Sequence, residues 1–419
     1  FDTMAGTLES RRTEEEVHVQ AQAAGLARSH GPVQLLRFSS HLNAQDLKLM
    51  ELPCDVLEAL KKGDRVVVRG DPSDEAVLCT GNMTYELKIA ETSNALLLSP
   101  DLCVPSNARF QTFGDGSLVS SQVMACLGDY YELRHCQPKT QKLRELLSEC
   151  PYKGQEYEGE LEEVGAPESM DTFPEGVQKK RKGPHKYTLE ELKDRVQASD
   201  AELLESLEQQ QACSVDGFWR VFDLDYRDRV VQNILTVLDE EDWNYCQVPL
   251  EGCVDKLLQL EPRFAIEHCL KCYGTAFTSD MGEVFYKLSE EKVCQFYGEL
   301  ILRLAGKFNY HEFMKSWQDS VPEGMTTSLH QLKGIALTDM SATPPVIWYY
   351  PVTALPQDAT ERFNRLFSLR EKWTQADIEP YIRDLETSSQ SLKALLLKHA
   401  RMSTGSKGEK VYNAKRTVT

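Results

Sequence analysis

The chain has 419 residues, room for about three domains. With 41% hydrophobic and 27% charged residues it has the make-up of a soluble folded protein, and it contains no run of about 20 apolar residues that could span a membrane. Its net charge of −18 argues against a general nucleic-acid binder. The 12 cysteines are scattered and the opening FDTMAGTLES lacks the apolar core of a secretory signal, so free thiols in a reducing compartment, cytosol or nucleus, are expected.

Residues 1–31 are polar, Ala/Gly-rich and acidic from Thr13 to Val17, which predicts a disordered arm. From 32 to 137 the texture is β. RVVVRGD (Arg65 to Asp71), AVLCT (Ala76 to Thr80), TYELKIA (Thr84 to Ala90) and NALLLS (Asn94 to Ser99) read as short strands between turn residues. Such spacing predicts a small barrel-like domain, and an open edge in it invites a partner strand. Its candidate partner-binding residues are Val66, Val68, Val77, Tyr85, Leu87, Ile89, Leu96 and Leu98.

The region 138–225 starts with a helix, QKLRELLSEC (Gln141 to Cys150). The stretch 151–186 has almost no periodicity. It holds a glutamate-rich run and then KKRK (Lys179 to Lys182), and reads as a disordered linker. The basic run fits either a nuclear import signal or solvated linker charge. LEELKDRV, SDAELLESLEQQQ and GFWRVFDLD follow as a partial copy of the unit described next, its missing first helix supplied by Gln141 to Cys150 across the linker.

Over 226–288 the order is helix, short strand, helix, helix, hairpin, the plan of a winged helix. DYRDRVVQNILTVLDEEDW carries an apolar stripe at Val230, Ile234, Leu235 and Leu238. NYCQVP, LEGCVDKLLQL, EPRFAIEHCLKCYG and AFTSDMGEVFYKL complete the unit. The plan returns over 289–353, with TSLHQLKGIAL as third helix, and over 357–419, with ADIEPYIRDLE and SLKALLLKHARM as helices and MSTGSKGEKVYNAKR as wing. Stacking lets units of this size cover one another's apolar faces. The predicted fold class is α+β: an N-terminal barrel-like region completed by partner subunits, then three or four tandem winged-helix domains.

No P-loop, GxGxxG, GxSxG, HExxH or kinase motif set occurs, so no catalytic residues are assigned and no cofactor or enzymatic activity is expected. HCLKC (His268 to Cys272), with Cys246 and Cys253 upstream, could in principle hold zinc. Its spacing is wrong for a ribbon or finger, and the competing reading is thiols packed between helices.

Charge is uneven along the chain. Residues 362–419 hold 12 Lys/Arg against 6 Asp/Glu, leaving 35 against 59 before them. Lys393, Lys398 and Arg401 lie on or after the last helix, and Lys407, Lys410, Lys415 and Arg416 lie in or just after the Gly/Ser wing. These seven are the candidate DNA-binding residues, suited to phosphates rather than base edges, with a solvated basic tail as the alternative. A transcription factor would need base-reading Arg or Asn on a third helix, and SLKALLLKHARM offers mostly lysines. The upstream third helices carry little positive charge and read as protein contacts or packing faces.

Several segments resemble the Dcc family of sister chromatid cohesion proteins: RVVVRGDPSDEAVLCTGNMTYELKIAETSNALLL, IEHCLKCYG, SVPEGMTTSLHQLKGIAL, ERFNRLFSLREKWTQADIEPYI and KVYNAKR. The resemblance implies a nuclear, non-catalytic subunit of the alternative, cohesion-type replication factor C, which loads the PCNA clamp. It implies that the β region joins the small subunit and the tail of the large subunit in a composite barrel. It further implies that the winged helices bind duplex or primer-template DNA, that the assembly docks on DNA polymerase epsilon, and that ATP hydrolysis belongs to other subunits. A pure protein-interaction scaffold is the competing reading.

Overall fold

The computed structural model describes residues 13–25, 33–39, 47–72, 74–100, 102, 118–158, 185–387, 390–405 and 408–415. The chain divides into two compact units, Phe1–Val66 with Tyr85–His135, and Val67–Thr84 with Cys136–Thr419.

The first element is a helix, α1 (Glu14–Ala23), standing where a disordered arm is expected. Its start is fixed by a capping box. The Thr13 hydroxyl accepts from the Glu16 amide at 3.3 Å and the Glu16 carboxylate accepts from the Thr13 amide at 3.0 Å, pairing amides a helix start otherwise leaves bare. Next come β1 (Val33–Phe38), β2 (Met50–Glu51), α2 (Cys54–Lys62), the short strands β3 (Val67–Arg69) and β4 (Val77–Cys79), the long β5 (Thr84–Leu98), β6 (Leu118–Val123) and β7 (Ala125–His135).

In the first unit β1 pairs in parallel with β6, β2 in parallel with β7, and β5 antiparallel with β7. TYELKIA and NALLLS, expected as separate strands, form one strand whose register breaks between Glu91 and Leu96. The break is held by the Thr92 hydroxyl, which donates to the Asn94 carbonyl at 2.7 Å and the Gly128 carbonyl at 3.1 Å. Among the described residues the interior here is small. Val56, Tyr85, Val123, Ala125, Leu127 and Leu133 are buried, but the three extended hydrophobic clusters all lie in the second unit.

In the second unit β3 and β4 pair antiparallel and are tied to the chain that follows. The buried Arg69 guanidinium donates to the Ala198 carbonyl and, at 2.5 Å, to the Asp200 carboxylate. The Gln197 amide donates back to the carbonyls of Arg69 at 3.2 Å and Glu75 at 2.6 Å. Thr84, fully buried, donates to Glu202 at 2.5 Å and accepts from the Ser199 amide at 2.8 Å.

One element order then recurs. It starts with α3 (Gln141–Ser148), an isolated bridge from Tyr187 to Trp219, α4 (Leu189–Arg195), α5 (Asp200–Gln209), β8 (Ala212–Val215) and β9 (Phe218–Val221). The turn between β8 and β9 is Asp216-Gly217, both at positive φ, which suits a tight two-residue hairpin. Leu143, Leu146 and Leu147 of α3 share one buried cluster with Leu192, Leu203 and Leu207 across the 159–184 segment.

The second repeat has α6 (Leu224–Glu240), β10 (Val248–Pro249), α7 (Leu250–Leu257), α8 (Arg263–Tyr273), β11 (Gly274–Thr278) and β12 (Val284–Leu288). The third has α9 (Glu290–Leu304), β13 (Lys307–Asn309), α10 (Tyr310–Ser320), a 3-10 turn (Leu329–Leu332), β14 (Ala336–Asp339) and β15 (Val346–Tyr349). The last has α11 (Ala359–Leu369), β16 (Trp373–Thr374), α12 (Gln375–Ile378), α13 (Leu392–His399), β17 (Ala400–Thr404) and β18 (Lys410–Ala414). Each of these three carries an antiparallel three-stranded sheet with the last strand in the middle.

Two expected helices are shorter than the sequence predicts. TSLHQLKGIAL gives only the 3-10 turn, because Gly334 takes a φ of 77° and the chain enters β14 two residues later. ADIEPYIRDLE breaks after Ile378, where Pro380 has no amide to continue the ladder, and runs on as two 3-10 turns.

The second and third repeats share one buried cluster, from Tyr152 to Ile347. The last repeat has its own, capped by Leu337 of the third. Tyr152, expected within a linker, is buried against Phe222 and Tyr226. Beside it the buried Arg220 donates to the carbonyls of Cys150 at 2.8 Å and Pro151 at 3.0 Å, and to Glu158 at 2.8 Å.

Candidate nucleic-acid and partner interfaces

The last repeat is built around Phe363, Leu366, Trp373, Ile378, Tyr381, Leu395 and Leu396. Trp373 is fixed by its indole N–H, which donates to the carbonyls of Arg370 at 2.9 Å and Leu366 at 3.1 Å. Arg362, buried on α11, is satisfied by the carbonyls of Pro356 at 2.6 Å and Tyr381 at 3.2 Å and by Asp384. A charged side chain tied on every side fixes α11 against the turns before α13.

Helix α13 starts at Ser391, whose hydroxyl accepts from the Ala394 amide. It buries Leu395 and Leu396 and leaves Lys393, Leu397 and Lys398 exposed. Arg401 and Lys410 are exposed on the hairpin. Arg401 pairs with Asn413 and Lys410 with Thr404, which puts the two cations on opposite faces by strand alternation. Among the described residues Lys393, Lys398, Arg401 and Lys410 have no carboxylate partner. Lys415 is different: its ammonium donates to the carbonyls of Leu397 at 2.6 Å and Lys398 at 2.9 Å, closing the C-terminal end of α13. Lys407 and Arg416 lie outside the described residues, as do Lys179 to Lys182.

His399 stacks on Phe363 at 5.0 Å. Burial pushes its pKa below the ordinary imidazole value, and the neighbouring charge of Lys398 adds to this. It therefore stays neutral at physiological pH and adds no charge to the cationic surface.

In the β region the candidate residues separate into three groups. Val68 and Ile89 face outward, 62% and 64% exposed. Val66, Leu87, Leu96 and Leu98 are half-buried. Val77 and Tyr85 are interior, 2% and 3% exposed. Tyr85 is held by its hydroxyl, which donates to Asp55, and by an edge-to-face contact with His135 at 6.0 Å. Sequence reading missed Leu36 and Phe38 on β1, Leu97 on β5, and Met124 between β6 and β7, all exposed. The run VQLLRF carried the signal, but without knowing which face of β1 is covered the exposed positions could not be chosen.

A cleft of about 440 Å³ in the second unit brings His268, Cys272, Lys271, Lys292 and Trp219 together. The Cys272 thiol lies 3.5 Å from Nε2 of His268. Burial pushes that thiol up to about 11, and burial lowers the His268 pKa, so at neutral pH both are uncharged and the thiol is a poor nucleophile. Nε2 of His268 also lies 2.9 Å from the Gln211 carbonyl. Cys253 and Cys269 are buried in the core while Cys246 is exposed, and among the described residues no three metal-binding side chains converge.

The family model for sister chromatid cohesion protein Dcc1 matches residues 47–382. The chain is 40% identical to human sister chromatid cohesion protein DCC1 over 414 residues, 98% of this chain and 100% of the human one. It is 42% identical to the zebrafish protein over 409 residues, 97% and 99% of the two chains. A probable counterpart from Dictyostelium discoideum is 25% identical over 402 residues, 90% and 96% of the two chains. The model's match ends before α13 and its hairpin, whereas the alignments with the vertebrate proteins run over nearly the whole chain. On this match and these identities, the chain belongs to the Dcc1 family of sister chromatid cohesion proteins.

Proposed function

We propose that this chain is a non-catalytic adaptor subunit of the alternative, cohesion-type replication factor C, working in the nucleus at replication forks where that assembly loads PCNA. In this reading the first unit is a half-barrel that the small subunit and the large subunit's tail complete, and the recurring repeats are winged-helix modules. One observation carries the reading. Among the described residues the first unit has few buried side chains, while Leu36, Phe38, Ile89, Leu97 and Met124 face outward, apolar positions that a partner could cover. The test is co-expression of the full chain with the large and small loader subunits. A complex that survives gel filtration is expected, and separate elution of all three would end the proposal.

DNA contact is assigned to the last repeat, where, among the described residues, Lys393, Lys398, Arg401 and Lys410 have no carboxylate partner. Four free cations on one small module suit sequence-independent phosphate contact. Docking on DNA polymerase epsilon is assigned to the upstream repeats, whose surfaces are less basic.

A second reading, a protein scaffold that never touches DNA, is favoured by two details. Lys415 is occupied by helix carbonyls, and Leu397 and Met402 are exposed among the cations. Duplex binding measured against salt separates the two readings, since phosphate contact weakens steeply as salt rises and apolar contact does not.

A further inference from the structure

Each three-stranded sheet has two edges: the short strand β10, β13 or β16 on one side and the first hairpin strand, β11, β14 or β17, on the other, in the same position of each repeat. An edge strand presents unpaired backbone groups, and proteins protect such edges by covering or charging them. β14 is covered from the last repeat: the Tyr381 hydroxyl donates to the Ala336 carbonyl at 3.0 Å and Arg370 donates to the Thr338 carbonyl at 2.5 Å. β17 carries Arg401. β11 has neither device. Its sequence is GTAFT, without charge or proline, and Thr275 to Thr278 are all exposed. Among the described residues its backbone hydrogen bonds go to β12 alone.

The surroundings of β11 are also unusual. Phe277 lies opposite Phe285, the two rings stacked at 5.8 Å on the face away from the core, and Phe277 is 41% exposed. The hairpin tip carries Asp280, Met281 and Glu283, with Met281 89% exposed. The tip of this repeat is thus acidic and apolar, where the last repeat's hairpin is basic.

We propose that β11 is a docking edge on which an extended segment of another protein adds as a fourth strand. That segment sets an apolar side chain over Phe277 and Phe285 and a basic one beside Asp280 and Glu283. The open backbone edge selects an extended occupant, the stacked rings select the apolar residue, and the acidic tip selects the base. A second copy of this chain is disfavoured by charge. Pairing two β11 edges brings together two bodies that each hold 59 acidic against 35 basic residues before residue 362. The proposal goes beyond the loader reading and stands whether or not the last repeat meets DNA.

The probe is a fluorescein-labelled octapeptide of alternating valine and lysine or threonine, titrated by anisotropy against the full chain. Binding is expected to weaken at least about tenfold when alternate peptide nitrogens are methylated, since that removes the donors a new strand needs. It is expected to weaken similarly for Phe277→Lys, which puts a guarding charge on the edge. Exchanging the peptide's lysines for glutamates should also weaken it. Equal affinity for the methylated peptide overturns strand addition, and equal affinity for the glutamate peptide overturns the basic occupant. Self-association of the wild-type chain, lost in Phe277→Lys on light scattering, overturns the proposal in favour of a second copy.

Discussion

Glu158 and Arg220 meet at 2.8 Å, and Lys186 reaches the same carboxylate at 2.6 Å, so one acid ties together the two ends of the segment 159–184. Burial alone would raise the Glu158 pKa. The hydrogen bonds and charges of Arg220 and Lys186 outweigh it and hold the carboxyl below its ordinary value. A carboxyl depressed in the folded state contributes stability that is full above the unfolded value near 4.5 and is lost as pH falls toward the folded one.

The first expectation concerns this clasp. A protease site introduced between residues 165 and 178 and then cut should leave the two halves co-eluting at neutral pH, because α3 and Tyr152 are buried among residues beyond the cut. Below about pH 4.5 the clasp should weaken. Arg220→Ala strands Glu158 with a single partner and should cost about 3 kcal/mol in urea unfolding. Halves that separate at neutral pH would refute the clasp.

Gly298 faces the indole of Trp317 on α10. A β-carbon at this position would come within 2.9 Å of the ring and 2.8 Å of Leu332. Trp317 is fully buried and its N–H donates to the Cys294 carbonyl at 2.7 Å, so it has no room to retreat. Gly298→Ala, a gain in helix propensity on an exposed helix, should here destabilise by about 1–3 kcal/mol. Denaturant melts that show a stabilised variant would refute the close approach.

Among the terminal cations, Lys393, Lys398, Arg401 and Lys410 should act alike and Lys415 differently. Changing the first four to Glu should flatten the salt dependence of duplex binding by up to about four contacts' worth with little change in melting temperature. Lys415→Ala should lower the melting temperature instead, since it uncaps α13. Unchanged gel-shift affinity in the fourfold variant would remove the DNA role from these residues.

In the β region exposure makes the opposite distinction. Ile89→Ser and Leu97→Ser should leave stability within about 0.5 kcal/mol while weakening capture of the loader subunits. Tyr85→Phe should cost about 1 kcal/mol or more, leaving Asp55 without its donor, and bind partners normally if still folded. Circular dichroism melts and co-purification read the two effects separately.

The order of elements over 226–288 was legible in the sequence because apolar spacing agrees locally, as along Val230, Ile234, Leu235 and Leu238, whereas the hairpin turn at Asp216-Gly217 was not read. The helix α3 was legible as a helix, but its packing partners were not, since they lie beyond the 159–184 segment. What the sequence could not supply were choices made by distant neighbours. Val77 and Ile89 read alike as strand positions, yet one is buried and the other exposed. Lys410 and Lys415 read alike as wing cations, yet one is free and the other holds a helix end. Alternation gives two faces of a strand but not which of them is covered.

The sharing of one buried cluster by the second and third repeats sets how the molecule comes apart. Heat should register cores rather than repeats. Residues 224–349, with Tyr152, Val215 and Phe222 that share their cluster, are expected to melt as a single cooperative block, and the last repeat as a neighbour that loses Leu337 when that block goes. Shortening the chain at the end of the second repeat would therefore open a core, whereas removing the last repeat would uncover β14 and the side chains that lean on that repeat, Trp348, Tyr350 and Gln137 among them.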